Sequence, residues 1–323
     1  MREINYIQAV AEAQREEMEN DSKVILMGED VQSNIFGSSP NFVEKFGESR
    51  VIDTPISESG FLGAGVGAAI AGLRPIVEIS IASFLYVAMD QIVSMASKAT
   101  YTFGGQAKIP LTIRTNLMFD QNNAAQHSDR PYPLFMNTPG LKIIVPSTAY
   151  DVKGLLKTAI RDDDPVMSFE DAGCWMTKSQ VPEEEYFIPI GKGDIKRKGD
   201  DATIVAIGRY MWTALDAAKE LEKEGISVEV VDPRTLVPLD KALILDSVKK
   251  TGHVVVVDSS HKTCGAAAEI SAIVAEEAFS DLKGPVMRVT TDDVPPPFSP
   301  ALEPQIYPSK EKIIAAVHNT LGK

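Results

Sequence analysis

The stretch RVIDTPISESGFLGAGVGAAIAGLRPIVEIS, residues 50–80, decides how this chain folds. RVID is a short apolar run broken by Pro55, so it reads as a brief strand that ends in a polar turn. From Gly60 to Gly72 the residues are small, apolar and uncharged, which predicts a buried helix. RPIVEIS (74–80) returns to strand character. Strand, turn, buried helix and strand make the repeating unit of a parallel sheet covered on both faces. The uncharged run Ser59–Leu73 is fifteen residues long, short of the ~20 that a membrane span needs.

The same alternation extends outward. Residues 5–20 carry Ile7, Val10, Ala11 and Met18 at helical spacing, and VILMGED (24–30) is a buried strand ending in a polar turn. SFLYVAMDQIVSMASKAT (83–100) reads as one long helix. IPLTIRT (109–115), LKIIVPS (141–147) and PVMSFE (165–170) read as strands, and AYDVKGLLKTAIRD (149–162) as an amphipathic helix. Residues 171–200 are charged and turn-rich, which places a domain boundary at 185/186. The pattern then restarts with strands at 202–208, 227–232, 253–258 and 285–290 and helices at 212–225, 241–252, 265–279 and 310–321. The expected fold is α/β, with two doubly wound domains, 1–185 and 186–323, the second smaller and built on about four strands.

Composition narrows the function. Thirty-two basic against 45 acidic residues give a net charge of −13, which argues against nucleic acid, because phosphate contacts need clustered Lys and Arg. Hydrophobic residues at 44% and charged residues at 24% suit a packed globular protein. Two cysteines, Cys174 and Cys264, build neither a disulfide framework nor a zinc cage. The opening MREINYIQAVAEAQREEMEN is amphipathic rather than an apolar signal core. A cytoplasmic protein without a membrane segment is expected.

Five constellations could carry chemistry. Glu58 lies between a strand end and a helix start, where ligands gather in parallel sheets, although an acid there also serves simply to start a helix. Gly63, Gly67 and Ala71 share one helix face, which suits either close packing inside the domain or a subunit interface. Gly63, Gly65 and Gly67 do not fit the dinucleotide fingerprint. His127, in the long polar stretch QNNAAQHSDRPYP, is a proton handler or an exposed loop histidine. Phe84 is a ligand-stacking ring or a core aromatic. Asp162, Asp163 and Asp164 at a helix end are a cation site or a solvated turn. P-loop, G-x-S-x-G, H-E-x-x-H and paired C-x-x-C motifs are absent. An acid, a histidine and an aromatic without an electrophile call for a cofactor.

At these residues the sequence resembles a known family. RVIDTPISESGFLGAGVGAAIAGLRPIVEI, VAMDQIVSMASK, AAQHS, TPGLKIIVPS, KGLLKTAIRDDDPV, VVDPRTLVPLD and DVPPPFSPALE look like the beta subunit of the thiamine-diphosphate-dependent decarboxylase component of 2-oxo acid dehydrogenase complexes. The group includes pyruvate, branched-chain 2-oxo acid and acetoin dehydrogenases, with PSTAYDVKGL and PFSPALE somewhat closer to the acetoin branch. The resemblance covers essentially the whole chain. It implies a transketolase-like pyrimidine-binding domain followed by a transketolase C-terminal-type domain. It also implies an alpha2-beta2 heterotetramer in which the alpha subunit holds the diphosphate and magnesium through a GDG…NN motif. This chain lacks that motif, so alone it should be inactive. The acyl or aldehyde unit of a 2-oxo acid or acetoin would pass to lipoamide on an acyltransferase core.

Carried over residue by residue, the resemblance makes Glu58 the acid that hydrogen-bonds the aminopyrimidine and favours its imino tautomer. Phe84 becomes the aromatic stacked on that ring, Ile56 a neighbour of it, and His127 the active-site histidine. Leu111, Ala159, Asp162 and Asp164 match positions that hold potassium in some members. The chain departs from the family in three places. Asn137 stands where a second histidine is usual, Asp129-Arg130-Pro131 replace neutral residues, and GEDVQSNIFG lacks the usual GG. Arg130 could bind a carboxylate, pair with Asp129 or face solvent, and the last two together are expected. The altered loop keeps open another transketolase-related lyase or ligase that does not use lipoamide. A non-catalytic assembly subunit is the third reading.

Overall fold

The computed structural model describes residues 1–323, which divide into two compact units. Unit 1 comprises 1–118 and 134–190, and unit 2 comprises 119–133 and 191–323. The division thus falls at 190/191 rather than 185/186. The polar segment 119–133, which a linear cut gives to the first domain, belongs to the second.

In unit 1 six parallel strands run β2 (Val24–Gly28), β3 (Val51–Asp53), β4 (Arg74–Ile79), β5 (Thr112–Leu117), β6 (Lys142–Ile144) and β7 (Val166–Asp171). Their order across the sheet is β6-β7-β5-β4-β2-β3. β2, β5 and β7 are buried along their whole length, as expected of strands covered on both faces. Two strands of unit 1 escaped the sequence reading. These are β1 (Arg2–Asn5) and β8 (Lys178–Val181), a separate antiparallel pair. Each is four residues long, too short for an alternation to register. Helix Tyr6–Asn20 opens with a capping box between Asn5 and Gln8. It packs on helix Ala149–Arg161 through buried ammonium groups, with Lys153 on Glu12 and Glu16 at 3.0 and 2.7 Å and Lys157 on Glu16 at 2.8 Å.

Residues 83–100 are not one helix. They wind as a 3-10 helix at Ala82–Ala88, a π-helix at Gln91–Ala96 and a short α-turn at Ala99–Thr102. Spacing explains the change. Ala82, Leu85 and Ala88 are three apart and all buried, and only a three-residue turn keeps i and i+3 in line. Ile92 and Ala96 are buried at the wider spacing that follows.

Unit 2 carries a sheet of five strands rather than four, β9 (Asp194–Arg197), β10 (Ala202–Ala206), β11 (Val228–Asp232), β13 (Val254–His261) and β14 (Met287–Thr291), and a further short strand β12 (Thr235–Val237) that follows β11 in the chain. The order is β14-β13-β10-β11-β9. The unexpected strand, β9, is the antiparallel edge, and its residues are all half-buried. No helix is long and apolar enough to cross a membrane.

Candidate active site

In unit 1, β3 and β4 lie on opposite sides of β2. The direction of strand addition therefore reverses at β2, and such a reversal opens a crevice at the carboxyl ends of the strands. Three connections reach that edge. Glu29 directly follows β2, Glu58 opens helix Glu58–Ile70 after β3, and Phe84 lies in the 3-10 helix after β4.

Glu58 is 7% exposed. Its position in the first helical turn sets it near unpaired backbone N–H groups, which favour negative charge. Its carboxylate has no salt bridge and no side-chain hydrogen bond within the chain. Glu29 is its electrostatic neighbour. Glu29 Oε1 is buried without a hydrogen-bond partner, and Ser80 Oγ reaches Oε2 only at 3.5 Å. Burial first, and then the charge of Glu58, hold the Glu29 carboxyl above the ordinary carboxylate range. A buried polar group without a partner in its own chain is costly, and it marks where a ligand's donor belongs. Glu29 was not singled out from the sequence; the strand-ending GED (28–30) was the available signal.

The other residues of this edge differ in exposure. Phe84 is half-buried. Ile56 is 84% exposed, an unusual setting for a large apolar side chain one residue before the helix N-cap. Within helix Glu58–Ile70 the inward glycine is Gly65, where a Cβ would lie 2.6 Å from Val77 Cγ2. A Cβ at Gly67 would meet nothing within 4 Å. A Cβ at Gly63 would make ordinary contact with Gln91 Cγ at 3.5 Å, so neither Gly63 nor Gly67 is required for close packing inside unit 1.

His127 stands on unit 2, in a 3-10 turn at Ala125–His127, and is half-buried. The approach to it is strained. Asp120, Asn122 and Ala124 have φ of 59°, 57° and 58°, and Ala124 combines that with ψ −175°, a region that essentially only glycine visits. Glu303 holds the strain in place. Its carboxylate accepts the backbone N–H of Asp120 at 2.8 Å and of Asn122 at 2.7 Å, and the Tyr307 hydroxyl at 3.0 Å. Arg209 pairs with Asp120 and lies 4.6 Å from the Phe119 ring centroid. Sequence reading missed Glu303 and Arg209, because their partners are about 180 and about 90 residues away in the chain, respectively. Replacing Glu303 with Ala should cost about 2–3 kcal/mol, since charge-assisted bonds to two backbone donors are lost. It should also expose residues 119–133 to protease. Unchanged cleavage there would show that the loop does not depend on Glu303.

The expectation for Arg130 is corrected. It is 5% exposed, not solvent-facing. Its Nε donates to Ser259 O at 2.9 Å and its Nη1 to Ser128 O, and its guanidinium lies 5.2 Å from the ring centroids of both Phe119 and Tyr307. Asn137 is exposed, on unit 1.

At the end of helix Ala149–Arg161 the acidic run is matched by the chain's own cations. Lys142 Nζ donates to both Asp162 oxygens at 2.8 Å and lies 3.0 Å from Asp164 Oδ2. Arg74 and Lys108 take Asp163. Leu111 O accepts Val166 N, and Ala159 O accepts Asp162 N. The set is satisfied as it stands and is a poor fit for potassium, so nothing further is derived through such an ion. No group of three or more His, Cys, Asp or Glu is poised to hold a metal.

Comparison with known proteins agrees with this layout. Residues 2–172 match the family described as transketolase, pyrimidine binding domain, and residues 191–313 match transketolase, C-terminal domain. The beta subunit of acetoin:2,6-dichlorophenolindophenol oxidoreductase from Bacillus subtilis (strain 168) is 43% identical, the alignment covering 100% of this chain and 98% of that one. The 2-oxoisovalerate dehydrogenase subunit beta of the same organism is 42% identical over 97% of both. Among solved structures, a split gene transketolase described as an inactive beta4 tetramer superposes with a TM-score of 0.82 at 25% identity, covering 99% of this chain and 98% of that one. With a parallel-sheet crevice bearing a buried acid, two transketolase-type domains and full-length relatives of this similarity, the chain belongs to the family of beta subunits of thiamine-diphosphate-dependent 2-oxo acid and acetoin dehydrogenases.

Proposed function

We propose that this chain supplies the aminopyrimidine half of a thiamine diphosphate site and is active in an alpha2-beta2 assembly that cleaves a carbon–carbon bond of acetoin or a 2-oxo acid. The observation that carries the reading is the Glu58 carboxylate, buried at a helix start and without a partner in its own chain. The residues fit the group on that side. Glu58 offers an acceptor, Phe84 a half-buried ring, and Ile56 an exposed apolar surface for the bound ring or a neighbouring subunit to cover. When bound, thiamine diphosphate supplies the acidic carbon that attacks a carbonyl, chemistry no side chain here provides.

Everything else falls to the protein. Glu58 shares a proton with the heterocycle through its carboxylate, and beside it lies Glu29, whose own carboxyl is held above the ordinary range by burial and by the charge of Glu58. His127 handles protons at the reacting oxygen, and the Glu303 anchor keeps it in place. The diphosphate and magnesium would be held by the alpha subunit, and the acyl unit would pass to a lipoyl-bearing acyltransferase core. Neither Cys174 nor Cys264 is in a disulfide, which accords with the cytoplasmic setting proposed for the assembly. Relatives named for acetoin and for a 2-oxo acid match almost equally well, so identity does not choose the substrate.

The pairing is tested by co-expression with an alpha subunit that carries a GDG…NN motif. The purified pair should bind thiamine diphosphate and reduce a dye acceptor with acetoin or a 2-oxo acid, and this chain alone should do neither. Turnover by this chain alone would contradict the reading.

A further inference from the structure

On unit 2, His127 sits between two sets of contacts. Before it, the Glu303 carboxylate takes the N–H groups of Asp120 and Asn122. After it comes DRPY, residues 129–132, whose Arg130 and Tyr132 reach the end of β13. The sheet is irregular where they arrive. Asp258 pairs with Thr290 and His261 with Thr291, so Ser259 and Ser260 stand outside the β13–β14 ladder. An irregularity of this kind frees backbone groups for other partners. Arg130 Nε donates to the Ser259 carbonyl at 2.9 Å, and the Thr291 hydroxyl donates to the same oxygen at 2.6 Å. The Ser260 N–H is shared between the Tyr132 hydroxyl oxygen at 3.1 Å and Asp258 at 2.9 Å. Tyr132 in turn donates its hydroxyl to Asp258. The Asp258 carboxylate also accepts the N–H of Ala267 at 2.9 Å, in the first turn of helix Ala266–Glu277.

The same guanidinium holds the chain beside His127. Arg130 Nη1 donates to the carbonyl of Ser128, the residue that follows His127. The guanidinium lies 5.2 Å from the ring centroids of Phe119 and Tyr307, and the Tyr307 hydroxyl donates to Glu303 at 3.0 Å. The two sets of contacts therefore share Tyr307. Arg130 is 5% exposed, and Tyr132 and Asp258 are fully buried. Side chains so enclosed act on a substrate only through the loop they hold. Arginine suits the task because its rigid fork aims separate N–H groups at two carbonyls, which a single ammonium does less well.

We infer that Arg130 and Tyr132 are positioning residues: they fix the loop that follows His127 to the irregular end of β13 and so hold the imidazole in its working place. The inference rests on the function proposed above, in which His127 handles protons.

The test uses the complex with its alpha subunit, a dye acceptor, and whichever of acetoin, pyruvate and 2-oxoisovalerate it turns over. Arg130→Met should lower kcat about ten- to a hundredfold, the loss that about 1 Å of misplacement brings, with a smaller change in KM. Exchange of the thiazolium C2 hydrogen of bound thiamine diphosphate should stay at the wild-type rate, because Glu58 and not His127 serves that step. General damage to the structure would lower both. Arg130→Lys, which keeps the charge but not the fork, should recover only part of the loss. Tyr132→Phe should show the same pattern as Arg130→Met, and it carries the test if Arg130→Met does not assemble. His127→Asn should lower kcat at least as far as Arg130→Met. Adding Arg130→Met to His127→Asn should cost less than about twofold more, since a residue that acts through His127 then has nothing left to position. Wild-type kcat in either loop variant would overturn the inference. So would C2 exchange that falls in step with kcat, or an Arg130→Met loss that persists in full on the His127→Asn background. Glu58→Gln separates the two readings. Retained turnover there defeats the proposed function itself, whereas lost turnover there with wild-type kcat in a loop variant defeats only the anchor.

Discussion

Glu58→Gln is expected to lower kcat of the assembled enzyme by about a hundred- to ten-thousandfold, the range spanned by a positioned proton-transfer group. The substitution keeps the shape of the side chain and removes only its capacity to take and return a proton. Folding should not suffer. Glu58 is buried beside Glu29 and has no ionic partner in the chain, so removing its charge relieves a desolvation cost. A tetramer of normal size and a melting temperature equal to or above wild type should accompany the lost activity. A stable tetramer with ordinary turnover would remove Glu58 from the chemistry.

Arg114→Met should have the largest effect on stability, about 3–5 kcal/mol, the cost of breaking a buried ion pair from one side. Arg114 on β5 is 1% exposed and pairs in register with Glu78 on β4. Its guanidinium donates to Glu170 at 2.9 and 2.6 Å, to Glu78 at 2.5 Å and to Gln14 at 3.1 Å. Ser38 and Ser168 hydroxyls complete the two carboxylates. Burial works against the charge on Arg114, but Glu170 and Glu78 outweigh it and raise the guanidinium pKa. The network links three adjacent strands, so loss of its cation leaves two buried anions facing each other. Combining Arg114→Met with Glu78→Gln and Glu170→Gln should restore much of the loss. Denaturant unfolding of the single and triple variants measures both steps. A single variant costing less than about 1 kcal/mol, the range of a surface pair, would show that solvent reaches this network.

Local pattern carried the elements that depend on near neighbours. The helix Lys310–Leu321 and the buried strand Val24–Gly28 were legible because their apolar spacing and bounding polar residues lie within a dozen positions. Glu58 was legible because a strand, a proline and a glycine-rich helix bracket it. What was hidden depends on distant partners. Residues 83–100 have a composition that suits an α-helix, and only the buried stripe Ala82, Leu85 and Ala88 imposes the tighter winding. Arg130 reads as a solvated loop cation beside Asp129, until Phe119, Tyr307 and the Ser259 carbonyl close around it. Glu29 resembles any acid after a strand, and its buried, unpartnered oxygen emerges only with the crevice. The acidic run at 162–164 shows the reverse. It reads as a cation site because Lys142, Arg74 and Lys108, which neutralise it, come from other elements.

The central claim is that the Glu58 carboxylate works on the coenzyme ring from its pyrimidine side. Hydrogen–deuterium exchange at the thiazolium C2 of thiamine diphosphate bound to the alpha–beta complex reads that action without substrate, acceptor or product release. The account predicts rapid exchange in the wild-type complex and a fall of at least about a hundredfold in Glu58→Gln, with the coenzyme still bound. Equal exchange rates in the two complexes would contradict it.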